Sequence, residues 1–165
     1  MVYLKSASKP KQGECIFCDK VKARRTQDRK NLVLHRGERA FVVMNLYPYT
    51  SGHLMVAPYE HNGELESLDG DTLKEMMLLV GASIRALRAT MNPHGFNIGI
   101  NLGRVAGAGV EDHVHIHIVP RWNGDTNFMP VFAEVRMIPE LLPKTYDKLF
   151  EAFQNIAAPK QTRKK

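Results

Sequence analysis

Three histidines at two-residue spacing, His113, His115 and His117, alternate with Val114, Ile116 and Ile118 in the run HVHIHIV. Strand side chains point to opposite faces in turn. A strand over 113–119 therefore puts three imidazoles on one face and the aliphatic residues on the other, toward a core. Folding alone does not ask for three imidazoles on one face. A neutral imidazole near pH 7 is both a nucleophile and a proton carrier. Rings at steps of about 6.5–7 Å can divide those roles, the middle one reaching a reacting centre while its neighbours orient it or bind the ligand. Just upstream, Gly107-Ala108-Gly109 offers backbone N–H groups with little side-chain bulk, which suits an anionic phosphate. In isolation the run also fits a plain turn; its closeness to the histidines, across Val110-Glu111-Asp112, favours the phosphate cradle. Cys15 and Cys18 have the spacing of half a tetrahedral zinc site; the alternative is two reduced thiols on either side of a core Phe17. Asn45 and Asn101 stand at strand ends, which is ordinary for asparagine taken alone.

Positioning these groups requires several strands and a helix. The β-rich runs 31–35 and 40–45 flank Arg36-Gly37-Glu38-Arg39, a hairpin pattern with glycine in the turn. Residues 47–52 form a loop, and 53–58 (HLMVAP) a third strand. Asp69 or Asp71 caps a helix running to about Met91. Along it Leu73, Met76, Met77, Val80, Ile84, Leu87 and Met91 recur at three- and four-residue steps, the mark of one buried face. Asn92-Pro93-His94-Gly95 ends that helix, 96–102 gives a fourth strand and 113–119 a fifth, which Pro120 closes. Further on, 124–130 is loop-like, 131–138 extended, and 139–153 helical. Strands joined by tight turns around one long helix predict an α+β domain with an antiparallel sheet.

The 165 residues fit one domain with a substantial core, and the composition, 44% hydrophobic and 24% charged, is ordinary. No apolar run approaches the ~18–20 residues of a membrane span, and the polar N-terminus lacks a signal-peptide core, so a cytoplasmic protein is expected. The net charge is +6. Lys5, Lys9 and Lys11 lie in the head, and Lys160, Arg163, Lys164 and Lys165 in the tail. Without those seven, 16 basic residues face 17 acidic ones. The basicity belongs to the ends, which argues against nucleic-acid binding as the main role.

HVHIHIV matches the signature of the histidine triad (HIT) family, His-φ-His-φ-His-φ-φ with φ apolar. The resemblance runs from about Cys15 to Trp122 and includes NLYPYTSGHLMVAP, where Asn45 and His53 keep the expected spacing. That segment, with PHGFNIGINLGRVAGAG and VPRWNGDTNF, looks most like the bacterial diadenosine tetraphosphate phosphorylase branch, with the fragile histidine triad dinucleoside hydrolases as near relatives. The resemblance implies a HIT-like fold: about five antiparallel strands, one long helix and one or two shorter ones. With the HIT domain placed at 13–125, the polar and aperiodic residues 1–12 read as a flexible basic arm, 126–158 as a C-terminal extension packed on the domain and 159–165 as a basic tail. The resemblance also implies that His115 attacks the α-phosphorus of a nucleotide, giving a covalent nucleotidyl-histidine. His117 and the backbone of Gly107, Ala108, Gly109 and Val110 would stabilise the phosphoryl oxygens. His53 and His113 would position the nucleophile, with Asn45 near the ribose and Asn101 near the phosphates. The implied substrate is an adenine dinucleoside polyphosphate, and the implied assembly a homodimer.

Some members complete a structural zinc site with a histidine after the third strand and the first of the triad; here that set is Cys15, Cys18, His61 and His113. No organic cofactor is expected. One departure stands out. Four residues before the first triad histidine the family's hydrolases typically carry Gln and its phosphoramidases Ser, whereas this chain has Gly109, which leaves room for inorganic phosphate as acceptor. Arg121 and Trp122 either contact the distal part of a dinucleotide or make surface and edge contacts. Two other functions fit the same residues: hydrolysis of nucleoside phosphoramidates or other adenylated small molecules, and a non-catalytic nucleotide- or metal-binding module.

Overall fold

The computed structural model describes residues 15–125 and 142–157. Five strands, β1 (Val33–Arg36), β2 (Ala40–Met44), β3 (Leu54–Pro58), β4 (Gly95–Ile100) and β5 (Ile116–Arg121), form one antiparallel sheet in the order β1-β2-β3-β5-β4. Four α-helices accompany it among the described residues: α1 (Ile16–Lys22), α2 (Asp28–Asn31), α3 (Gly70–Met91) and α4 (Leu142–Ala157). This is the expected α+β architecture. None of these helices is long and apolar enough to cross a membrane.

The register assigns the faces. Phe41 pairs with Ala57, Val43 with Met55, and Met55 with His117; directly opposed residues share a face. Phe17 of α1 packs on this side, 6.4 Å from the Phe41 ring. The opposite face carries Val42, Val56, Leu54, Ile116 and Ile118, all buried, and lies under α3. That helix starts at Asp69, whose carboxylate accepts from the backbone of Asp71 and Thr72, both at 3.0 Å, as an N-cap does. It ends where Asn92 turns left-handed, φ 47°, just before Pro93. Its buried face includes Met76, Leu79, Val80, Ala86 and Leu87. Met77, expected in the apolar stripe, is 59% exposed; the buried arc is displaced toward Leu79, Ser83 and Ala86. Ser83 belongs there because its hydroxyl donates to the Leu79 carbonyl at 2.8 Å, so its burial leaves no unpaired group.

The β1–β2 hairpin is held from α3. The Glu75 carboxylate accepts from the backbone of Glu38, Arg39 and Ala40 at 2.8, 2.6 and 3.1 Å. Its approach to the turn needs Gly37, since a Cβ there would collide with the carboxylate and with the Ala40 carbonyl.

The fifth strand differs from the 113–119 expected. Ladder pairing begins at Ile116 and runs through Pro120 to Arg121, so His113 and His115 lie on the approach to it. Pro120 does not close the strand, for a reason visible in the pairing. Backbone N and C=O of one residue point the same way across an antiparallel ladder. The Pro120 carbonyl accepts from the Thr50 hydroxyl at 2.9 Å, on the side where β3 has already ended at Leu54↔Ile118. The missing N–H thus falls where no ladder bond is due.

Helix α4 packs on β1 and α3. The Tyr146 hydroxyl donates to the Val33 carbonyl at 2.9 Å, Phe153 stacks 6.0 Å from His35, and Leu149 is fully buried. It continues four residues past the expected end at 153. The arm 1–12, the loop and extended segment expected between 126 and 138, and the tail 159–165 lie outside the described residues.

Candidate active site

Hydrogen-bond partners fix the tautomer of each triad histidine. His115 Nδ1 lies 2.9 Å from the His113 carbonyl. A carbonyl only accepts, so Nδ1 carries the proton and Nε2 keeps its lone pair. His113 Nε2 lies 2.9 Å from the Pro58 carbonyl, which by the same logic leaves the lone pair on Nδ1. A third chain begins at a backbone donor: Tyr49 N–H points at His53 Nδ1 at 3.2 Å, and the Asn45 amide Nδ2 meets that nitrogen at 3.3 Å. His53 therefore carries its proton on Nε2 and donates across 3.0 Å to His117 Nδ1. His117 in turn presents Nε2–H as a donor. The rings of His115 and His117 are 4.7 Å apart and nearly perpendicular. One face thus sets a nitrogen lone pair beside an N–H donor.

Burial keeps these rings neutral at pH 7. His53 is pushed down to about 3, by burial first and then by the charges His117 and His115 would carry. His117 falls to about 4, by burial and then by His115. Burial also lowers His115, opposed by its bond to the His113 carbonyl, and lowers His113. On the inner side Phe17 closes over the triad, its ring 4.8 Å from His115 and 5.1 Å from His113. His115 is 5% exposed and His113 is fully buried.

The lone pair of His113 faces Cys15, Cys18 and His61. The four ligand atoms lie within 4.8 Å of one another. Cys15 Sγ and His113 Nδ1 are 3.3 Å apart, Cys18 Sγ and His61 Nδ1 3.4 Å, Cys18 Sγ and His113 Nδ1 3.7 Å, and the two Nδ1 atoms 3.4 Å. Metal bonds of 2.0–2.3 Å in a tetrahedron require edges of about 3.3–3.8 Å, so this donor set fits zinc. Desolvation first, and then the neighbouring Cys15, push the Cys18 thiol up, a cost that a cation at the centre would offset.

The Gly-rich approach lies beside the end of β4. Asn101 Nδ2 donates to the Gly107 carbonyl at 3.5 Å, and Gly107 takes a left-handed φ of 93° that glycine accommodates without strain. Ala108 is buried and Val110 packs against the core. Among the described residues no hydrogen bond joins 107–110 to the triad. Next to His117, on the same face of the sheet, runs a trough of about 520 Å³ reaching Arg121 and Asp125. Tyr49 forms part of its wall, with its ring stacked 4.8 Å from His53. Sequence reasoning missed Tyr49 and Asn97 as well as the His53–His117 pairing. The register explains that pairing: Met55 sits opposite His117, two residues from His53.

Comparisons with known proteins agree with this geometry. The model of the HIT domain family matches residues 25–124. An AP-4-A phosphorylase of Mycobacterium tuberculosis is 45% identical over 118 residues, 72% of this chain; the match spans 60% of that protein's length. An uncharacterized HIT-like protein of Mycoplasma genitalium is 32% identical over 116 residues, 70% of this chain and 79% of that protein. The crystal structure of a Zn-bound histidine triad family protein from Mycobacterium smegmatis shares the fold with a TM-score of 0.67, at 24% identity, over 87% of this chain and 95% of that one.

Proposed function

This chain belongs to the HIT domain family, and we propose that it is an enzyme cleaving the α-phosphate anhydride of diadenosine polyphosphates through a covalent nucleotidyl-histidine. The observation that carries the reading is the tautomer of His115. With Nδ1–H held on the His113 carbonyl, Nε2 attacks the α-phosphorus and forms the N–P bond. The bridging P–O bond breaks, and its electron pair leaves with the departing nucleoside polyphosphate. An acceptor oxygen then attacks the same phosphorus, the N–P bond breaks, and His115 regains its lone pair. His117 Nε2–H and the backbone of 107–110 donate to the phosphoryl oxygens as charge builds. Asn101 lies beside this loop, next to the phosphates, and Asn45, which braces His53, lies near the ribose. His53 and His113 are positioning residues.

Inorganic phosphate is the favoured acceptor, because Gly109 brings no side chain to hold a water, and the AP-4-A phosphorylase relative supports the same choice. Diadenosine tetraphosphate and phosphate then give ATP and ADP. Zinc held by Cys15, Cys18, His61 and His113 supplies a structural crosslink that fixes His113, whose carbonyl aims the nucleophile. The assembly is a homodimer; β4, at the edge of the sheet and hydrogen-bonded on one side to β5, offers a surface for a second copy. Product analysis tests the reaction. ADP and ATP formed only with phosphate support the reading. AMP and ATP formed without it replace phosphorolysis by hydrolysis, and no turnover in either condition overturns the reading.

A further inference from the structure

The trough beside His117 shares His117 and Asn101 with the chemistry proposed at the α-phosphorus and extends beyond them to Val119, Arg121 and Asp125, which that chemistry does not use. It lies on the catalytic face, because His117, Val119 and Arg121 alternate along β5 onto one side, and Gly99 and Asn97 oppose the first two of them on β4. Gly99 keeps the floor low opposite His117, where a Cβ would have nothing within 4 Å. Tyr49, 62% exposed, stands at the wall. From His117 to Arg121 is four strand residues, about 13 Å, so the trough is long enough for a group joined to the reacting phosphorus through a short phosphate chain.

Charge decides what kind of group. Arg121 donates to both Asp125 oxygens, Nε to Oδ2 at 2.7 Å and Nη2 to Oδ1 at 2.8 Å, and the Trp122 backbone N–H donates to the same carboxylate at 3.0 Å. The guanidinium is thereby neutralised where it stands, and a phosphate beside it would face Asp125. Arg121 also donates from Nη1 to Asn97 Oδ1 at 2.6 Å. Arginine has no acceptor, so this contact fixes the Asn97 amide with its oxygen toward Arg121 and its Nδ2 as the donor side. The far end is therefore an uncharged plate with a fixed amide donor, next to an exposed aromatic ring and the apolar Val119. Such a surface suits a nucleobase better than an anion. The inner side of His115 is closed by Phe17, and the trough begins at His117, whose ring lies 4.7 Å from that of His115.

We infer that this trough binds the second nucleoside of the substrate, the one that departs with the leaving polyphosphate, with its base against Tyr49 and its polar edge on Asn97. The inference rests on the function proposed above. It makes Asn97 a specificity residue and Arg121, which is salt-bridged to Asp125, its positioning partner.

The test compares kcat/KM for diadenosine tetraphosphate with that for adenosine 5′-tetraphosphate, which presents the same adenylyl group without a second nucleoside. Asn97 is exposed on an edge strand, so Asn97→Ala does not threaten folding; Arg121→Gln is the second variant. In each, the preference for the dinucleotide is expected to fall about tenfold, as loss of one or two hydrogen bonds predicts. Equal losses on both substrates leave the ratio unmoved and overturn the subsite while the proposed reaction stands. A larger loss on adenosine 5′-tetraphosphate makes the trough a polyphosphate site and likewise overturns it. Turnover of neither substrate by the wild type overturns the proposed function, and the subsite with it.

Discussion

His53→Leu separates the hydrogen-bond relay from the bulk that carries it. Leucine fills a similar volume but cannot accept from Tyr49 N–H or donate to His117 Nδ1, the contacts at 3.2 and 3.0 Å. Two lost hydrogen bonds at about 1 kcal/mol each give a destabilisation of about 2 kcal/mol, a shift of about 4–8 °C in Tm for a chain of this size. The catalytic effect is distinct from this. With no donor at Nδ1, the His117 proton can move there, and the Nε2–H aimed at the phosphoryl oxygens is lost. A hydrogen bond to a charged group contributes about 1.5–3 kcal/mol, so kcat falls about 10–100-fold with little change in KM. His53→Gln retains an acceptor and a donor and recovers most of both losses. Urea denaturation measures the first effect and single-turnover kinetics the second, while ¹⁵N shifts of His117 report the tautomer directly. If His53→Leu leaves kcat within twofold of wild type, or if His117 keeps its Nε2 proton without His53, the relay is not what orients it.

Three further predictions concern other parts of the site. Metal analysis is expected to find about one zinc per chain, lost in Cys15→Ser; at zinc about 100-fold above its dissociation constant the wild type gains about 2.7 kcal/mol, so chelation lowers Tm by about 5–10 °C, and a metal-free wild type contradicts the assignment. His117 at about 4 and His53 at about 3 return to about 6.5 on unfolding; the unfolded chain then binds more protons below that pH, so stability falls as pH drops from about 6.5 toward 4, by up to about 1.4 kcal/mol per pH unit for each group and less for the partly exposed His117. A Tm flat across that window in acid titration contradicts the buried neutral pair. Gly109 has open space at its Cβ position, so Gly109→Gln folds normally and shifts product from ADP toward AMP; an unchanged ratio means another residue selects the acceptor.

The succession of strands along the chain, the hairpin and the long helix were legible in the sequence because local signals agreed with the final packing: glycine at the turn, an aspartate cap, apolar residues at helical spacing. Met77 escaped that reading because periodicity gives the width of an apolar arc but not its edges, and a buried serine bonded to its own helix occupied part of the face instead. Pro120 misled because its cost depends on which neighbour its nitrogen faces, which only the register of β3 decides. The three histidines were visible from alternation, and the chemistry proposed for them rests on the family they resemble. Their tautomers were not, since these depend on carbonyls of Pro58 and His113 and on a backbone N–H in the β2–β3 loop. The neutralised state of Arg121 was hidden for the same reason: a sequence shows charges but not which of them are already paired.

The central claim is that His115 Nε2 becomes bonded to phosphorus. The measurement that meets it most directly is peptide mass spectrometry of the enzyme mixed with diadenosine tetraphosphate without phosphate and quenched in base, where phosphoramidates survive. The account predicts one adenylyl group on His115, discharged as ADP when phosphate is added before the quench and absent from His115→Ala, which does not turn over. Turnover with the wild type unmodified, an adduct on a different residue, or undiminished activity in His115→Ala would contradict it.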